Sequence, residues 1–172
     1  LDYFEELMGT RPDFIDGHHH IHQLPSVRDI IFEVLKKRYK TDLPWIRNTY
    51  EKNITILKRN VSLAKTFLIS YYGYNLKKKA LLNNFKTNNG FSGIYDFSND
   101  SNYKKLFIKF LKFTENKHLL MVHPGESDQN LEMIDSVTST RNLERDFLKS
   151  SEFFDILKER SILLKPFHLN IF

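Results

Sequence analysis

Three observations predict an α/β fold made of βα units for this 172-residue chain. Short apolar runs alternate with longer segments whose apolar residues recur at helical spacing. Clusters of Gly, Pro and Asn punctuate that alternation. The residues best suited to chemistry, His18, Arg47 and His123, stand where apolar runs end, and function collects at the carboxyl ends of strands in a β/α barrel.

The elements follow in order. Residues 1–8 read as the end of a helix stopped near Gly9, and residues 13–17 as the first complete strand. Leu24, Pro25 and Ser26 close a loop and open a helix, since proline suits the first helical position. Val27, Ile30, Ile31, Val34 and Leu35 keep its apolar face, and Lys36, Lys37 and Arg38 suit its last turn. Residues 43–47 are the next short strand. Residues 54–72 carry apolar side chains at helical spacing and are expected to end near Gly73, with a second, shorter helix over 76–85.

Thr87, Asn88, Asn89 and Gly90 signal a turn leading to Phe91 and Gly93. Residues 103–113 have helical spacing, residues 118–122 form a buried strand, and Pro124 and Gly125 break it. The polar stretch 126–141 is expected as a long loop, 143–148 and 152–160 as helices, and 161–167 as a final strand. The sequence has no internal repeat, linker or low-complexity tract.

Composition narrows the function classes. Hydrophobic residues at 41% and aromatics at 14% argue for a packed core. The net charge of +5 is spread among acidic residues, and the one tight basic run, Lys77 to Lys79, is explained by a solvated helix face; no nucleic-acid partner is expected. With no cysteine there is no disulfide or thiolate site, which suits a cytoplasmic location. No apolar run reaches the ~18 residues of a spanning helix, and the first residues do not form a secretory signal, so no membrane partner is expected.

The segment from Asp13 to Pro25 is the densest in chemistry, holding four of the seven histidines and two carboxylates. Read as a strand entering a loop, it puts Asp16 and His18 on one face, about 6–7 Å apart. Imidazole and carboxylate are ligands that zinc and other divalent metals accept, and Gly17 leaves room for close approach. A solvated histidine-rich loop and a tag remnant are the competing readings; Ile21 within the run and the helix start after it argue against the tag.

The stretch from Pro12 through Asp16, Gly17, His18, His19, His20, His22 and Pro25 resembles the histidine motif of the YdjC-like carbohydrate deacetylases, the family that includes chitooligosaccharide deacetylase. Asn89 to Gly93 resembles the family's aromatic-glycine turn, and Leu119 to Gly125 its strand ending in His-Pro-Gly. Trp45, Ile46 and Arg47 resemble a short strand ending in arginine, and Arg141, Leu143, Glu144 and Leu148 fit the tail pattern. The family's initial Ala-Asp-Asp-Phe-Gly type strand and a further early histidine do not occur in this sequence. The chain therefore looks like the carboxy-terminal portion of such an enzyme, and its opening on leucine agrees. The resemblance implies a partial (β/α) barrel of the polysaccharide-deacetylase-like type, missing its amino-terminal strands, with residues 1–172 as a single domain.

The resemblance further implies hydrolysis of N-acetyl groups from amino sugars, with a divalent metal, magnesium or zinc, polarising the amide carbonyl and activating a water. In the family an aspartate and a histidine from the absent portion join the first histidine of the motif, here His18, in holding that metal. His123 is the candidate acid or oxyanion-facing group, against a histidine packed under a Pro-Gly turn. Asp16 is a candidate for fixing a neighbouring imidazole's tautomer, and His20 or His22 for facing the sugar or hydrogen bonding. Arg47 reads either as a holder of a sugar hydroxyl or carboxylate, or as an ordinary ion pair. Phe91 and Tyr95 are sugar-stacking candidates with a core position as the rival, Trp45 reads as core, and His118 and His168 carry no role. Expected partners are a small carbohydrate and, given an unpaired sheet edge, a further copy or a complementary amino-terminal fragment. A degenerate non-catalytic remnant and a sugar-binding or scaffold protein are the alternatives.

Overall fold

A computed structural model of the chain describes residues 1–98, 102–135 and 137–166. Its apolar runs are strands of two or three residues: β1 (Phe14–Ile15), β2 (Trp45–Ile46), β3 (Gly90–Ser92) and β4 (His118–Leu120). Its helices are α1 (Asp2–Met8), α2 (Pro25–Arg38), α3 (Asn53–Arg59), α4 (Leu63–Leu82), α5 (Tyr103–Phe110), α6 (Gln129–Ile134), α7 (Ser139–Leu148) and α8 (Ser151–Glu159), with a 3₁₀ segment at His18–Gln23. β1 pairs with β2 and β3 with β4, so the fold is helix-rich α/β with short parallel strands; no closed barrel occurs among the described residues. No helix among them is long and apolar enough to cross a membrane.

The chain divides into two compact units. The first comprises Leu1–Asn53, Phe67–Phe91 and Glu115–Leu119. Its centre is the parallel pair β1–β2, in register Phe14 with Trp45 and Ile15 with Ile46. Ile46 is fully buried among Phe32 and Leu35 of α2, Leu76 and Ala80 of α4, and Phe85. Each such large apolar side chain contributes roughly 1.5–3 kcal/mol by leaving water. Trp45 is half-buried and stacks on the exposed ring of Phe14, with centroids 5.1 Å apart, so it borders this core instead of filling it.

The second unit comprises Ile54–Thr66, Ser92–Thr114 and Leu120–Phe172. Its core is aromatic: Phe107 packs against Phe147 at 5.1 Å and Phe153 at 5.4 Å, with Tyr95, Tyr103, Phe110, Ile156 and Leu157 around them. Helix starts here are capped as their sequence dictates, with Asn102, Asp128 and Ser150 accepting from Lys105, Leu131 and Phe153 backbone N–H groups.

Four expectations are corrected. The helix expected over 54–72 is broken after α3, where Asn60 (φ 50°) and Ser62 (φ 41°) turn left-handed. It resumes as α4, which runs through Gly73 and on to Leu82. Gly73 is there because backbone packs on it: a Cβ would lie 2.3 Å from the Tyr50 nitrogen and 2.5 Å from the Thr49 carbonyl carbon. The polar stretch 126–141 contains α6 and the start of α7, for which Asp128 was the overlooked start signal. Residues 162–166 have no regular structure after a turn at Ser161 (φ 53°), so the final strand is absent as far as it is described; Phe167 and His168 lie outside the described residues.

Candidate functional site

Two clusters contain the candidate residues, one in each unit. In the first, β1 delivers Asp16, Gly17 and His18 to its carboxyl end, and β2 delivers Arg47. His22 closes this end. The Gly17 N–H donates to His22 Nδ1 at 3.0 Å, so Nε2 carries the proton and donates to the Arg47 carbonyl at 2.8 Å. Burial pushes the His22 pKa down against the raising effect of that bond, keeping the ring neutral. Gly17 must be glycine for this closure, since a Cβ would lie 2.8 Å from His22 Nδ1. With both nitrogens committed and only 2% exposure, His22 is the hydrogen-bonding alternative of its expected roles and has no face for a sugar.

Arg47 is the hub. Its guanidinium is buried and donates to the Asp16 carboxylate, to His20 Nδ1 at 2.9 Å and to the Gly17 carbonyl at 3.3 Å. It also lies over the Phe91 ring, 5.5 Å from the centroid. Because arginine always donates, His20 Nδ1 is an acceptor and the neutral ring carries its proton on Nε2. Of the two readings of Arg47, the ion pair is the one observed, and Asp16 holds this guanidinium in place of an imidazole. His19 and His20 adopt left-handed backbone (φ 51° and 63°), an unusual conformation for side chains of this size. The turn leaves His18 and His19 exposed with rings stacked at 4.0 Å. The His18 imidazole has no hydrogen-bond partner among the described residues.

Beyond β2 the chain is fixed by buried amides. Asn48 and Asn88 bond reciprocally, Asn48 N–H to Asn88 Oδ1 at 2.8 Å and Asn88 Nδ2 to the Asn48 carbonyl at 2.9 Å. Gln23 Oε1 accepts from the Thr49 N–H at 3.0 Å, and the Thr49 hydroxyl donates to the Ile69 carbonyl at 2.8 Å. Sequence reasoning gave Asn88 only a place in a turn and gave Gln23, Asn48 and Thr49 no role, their signal being polar side chains flanking short apolar runs. Phe91 is buried at 2% and Tyr95 at 3%, so both take the core alternative over sugar stacking.

In the second unit, Gly93 (φ 102°) makes the turn after β3; a Cβ there would lie 2.1 Å from the Met121 carbonyl oxygen. His123 follows just beyond β4. Its backbone N–H donates to Glu144 Oε2 at 2.5 Å, its Nδ1 lies 3.7 Å from Glu144 Oε1, and its ring meets the edge of Phe97 at 4.9 Å. Tyr95 donates its hydroxyl proton to Glu144 Oε1 at 2.6 Å. Glu144, on α7, has no solvent exposure. Burial alone would raise its pKa, but the His123 ring and N–H and the Tyr95 hydroxyl outweigh that and hold it below the ordinary value, as a carboxylate. The Gly125 N–H donates to the Arg141 carbonyl at 3.3 Å, tying the Pro-Gly turn to α7.

Among the described residues, no group of three or more His, Asp or Glu side chains is placed to hold a metal ion. They offer two exposed imidazoles at the end of β1, His18 and His19, while the neighbouring Asp16 carboxylate is engaged by Arg47.

No curated protein and no solved structure gives a match to the chain. The family model described as YdjC-like protein matches residues 1–159 of the 172. With nearly the whole sequence matched, the chain belongs to the YdjC-like family, whose members are carbohydrate deacetylase-like.

Proposed function

We propose that this chain serves as a metal-dependent carbohydrate deacetylase, hydrolysing N-acetyl groups of amino sugars such as chitooligosaccharides, on part of a (β/α) barrel of the polysaccharide-deacetylase-like type. The observation carrying this reading is the exposed imidazole of His18, without a hydrogen-bond partner among the described residues and presented at the carboxyl end of β1 by a turn that Arg47 and His22 pin. His18 supplies one ligand to a divalent cation, magnesium or zinc, whose other donors come from outside the clusters described. Such a cation polarises an amide carbonyl and makes its bound water a better nucleophile. Arg47 keeps Asp16 and His20 oriented around that position, and His123 protonates the departing amine. The substrate is a small carbohydrate.

The test is His18→Ala in the protein, followed by metal content per chain and by acetate release from N-acetylglucosamine oligomers. Loss of both is expected; unchanged metal content with unchanged turnover would refute the assignment. The lack of a three-donor group among the described residues favours a second reading, a non-catalytic remnant or sugar-binding scaffold. On that reading the chain binds divalent metal weakly and releases no acetate, so robust deacetylation by the unaltered chain excludes it.

A further inference from the structure

Glu144 sits beneath His123 with no solvent exposure, and its carboxylate is committed on two sides: Oε2 to the His123 N–H at 2.5 Å and Oε1 to the Tyr95 hydroxyl at 2.6 Å. Among the described residues His123 Nδ1 is buried without a hydrogen-bond partner, 3.7 Å from that same Oε1. A buried ring nitrogen facing a carboxylate oxygen is favoured as N–H and disfavoured as a lone pair, because two acceptors repel and a donor gains a charge-assisted bond. The other groups around the ring do not compete for Nδ1. Phe97 meets it with a ring edge at 4.9 Å, and Lys65 sits over the Phe97 ring with its ammonium donating to the Tyr95 carbonyl at 2.8 Å.

We propose that Glu144 is the positioning residue of His123, holding the proton on Nδ1 so that Nε2 is the nitrogen that serves the substrate. This rests on the reading of His123 as the acid. In the imidazolium form both nitrogens are protonated and the Nδ1–H points at Glu144. When the amide C–N bond breaks, its electron pair goes to nitrogen and takes the Nε2 proton. The ring is left neutral with Nδ1–H still facing Glu144, and the proton that water gives up on attack restores the balance. A second charge close to Nδ1 thus keeps the donor on the correct side through the cycle.

The experiment is nitrogen NMR of the full chain labelled with ¹⁵N-histidine, the His123 signals being assigned with His123→Ala. The neutral wild-type ring should be the Nδ1–H tautomer. In Glu144→Gln the amide can donate to Nδ1, so the ring should switch to Nε2–H, while Tyr95→Phe and Glu144→Asp, which keep the carboxylate, should retain Nδ1–H. A wild-type ring that is mainly Nε2–H overturns the proposal whatever the variants do, as does a tautomer unchanged in folded Glu144→Gln. Turnover of N-acetylglucosamine oligomers supplies the second readout: Glu144→Gln should lower kcat about 100-fold with KM little changed, and Glu144→Asp should recover part of it. If His123→Ala leaves turnover intact, the acid reading fails, and the spectra still decide whether Glu144 holds the ring.

Discussion

Replacing Gly73 with alanine sets two effects of opposite sign against each other. In an exposed helix interior the change would stabilise by about 1 kcal/mol, because alanine has the better helix propensity. Gly73 lies within α4, but its Cβ would sit 2.3 Å from the Tyr50 nitrogen and 2.5 Å from the Thr49 carbonyl carbon. Both are backbone atoms that cannot swing aside, so the segment following Arg47 must move by about 1 Å to reach van der Waals distance. That shift strains the Thr49 hydroxyl bond to the Ile69 carbonyl (2.8 Å), the Thr49 N–H bond to Gln23 (3.0 Å) and the Glu51 N–H bond to Ser70 (3.0 Å). At about 1 kcal/mol each these bonds represent ~3 kcal/mol. Subtracting the propensity gain leaves a net loss of about 2 kcal/mol, a fall in Tm of roughly 4–8 °C for a chain of this size. Thermal unfolding followed by circular dichroism measures it. A Tm equal to or above that of the wild type would show that the close approach of 49–50 to α4 does not govern stability, and the packing argument would be refuted.

Arg47→Met should loosen the histidine turn, because it removes the donor to Asp16, His20 and Gly17 together. Asp16 is 43% exposed at its side chain and rehydrates, so the expected loss is nearer 2 kcal/mol than the larger penalty of a stranded buried charge. Denaturant unfolding and metal content per chain should both fall, and a variant matching the wild type in both would contradict the hub role. The lowered His22 pKa makes stability depend on pH: a histidine held neutral in the fold contributes above its unfolded value of 6.5 and loses that contribution as pH falls. Tm should therefore drop between about pH 7 and 5, and the drop should be shallower in His22→Gln. Equal slopes in the two proteins would remove His22 as the cause.

Where local chemistry suffices, the sequence is readable. Pro25 marks the start of α2, because proline's fixed φ acts within a few residues; of the apolar face expected there Leu35 is buried, while Ile30 and Val34 are exposed and Phe32, outside that set, fills the core. The same local logic fails at Gly73. A helix stop and a helix crossed closely by another segment both call for glycine, and only the approach of Thr49 and Tyr50 distinguishes them. At the site, the histidine motif exposes His18 as a candidate donor and singles out Gly17, but it is silent on how the four histidines divide their roles. His22 becomes a stitch because Arg47, 25 residues on, brings its carbonyl to Nε2. Glu144 comes to lie under His123 across 21 residues of chain, a relation that no spacing rule contains. By itself, then, the sequence determined the α/β class, the family motif and the donor types available to it. The tertiary structure alone decided which of those donors are spent on the protein and which remain open, because burial and hydrogen-bond partners depend on which distant segments meet.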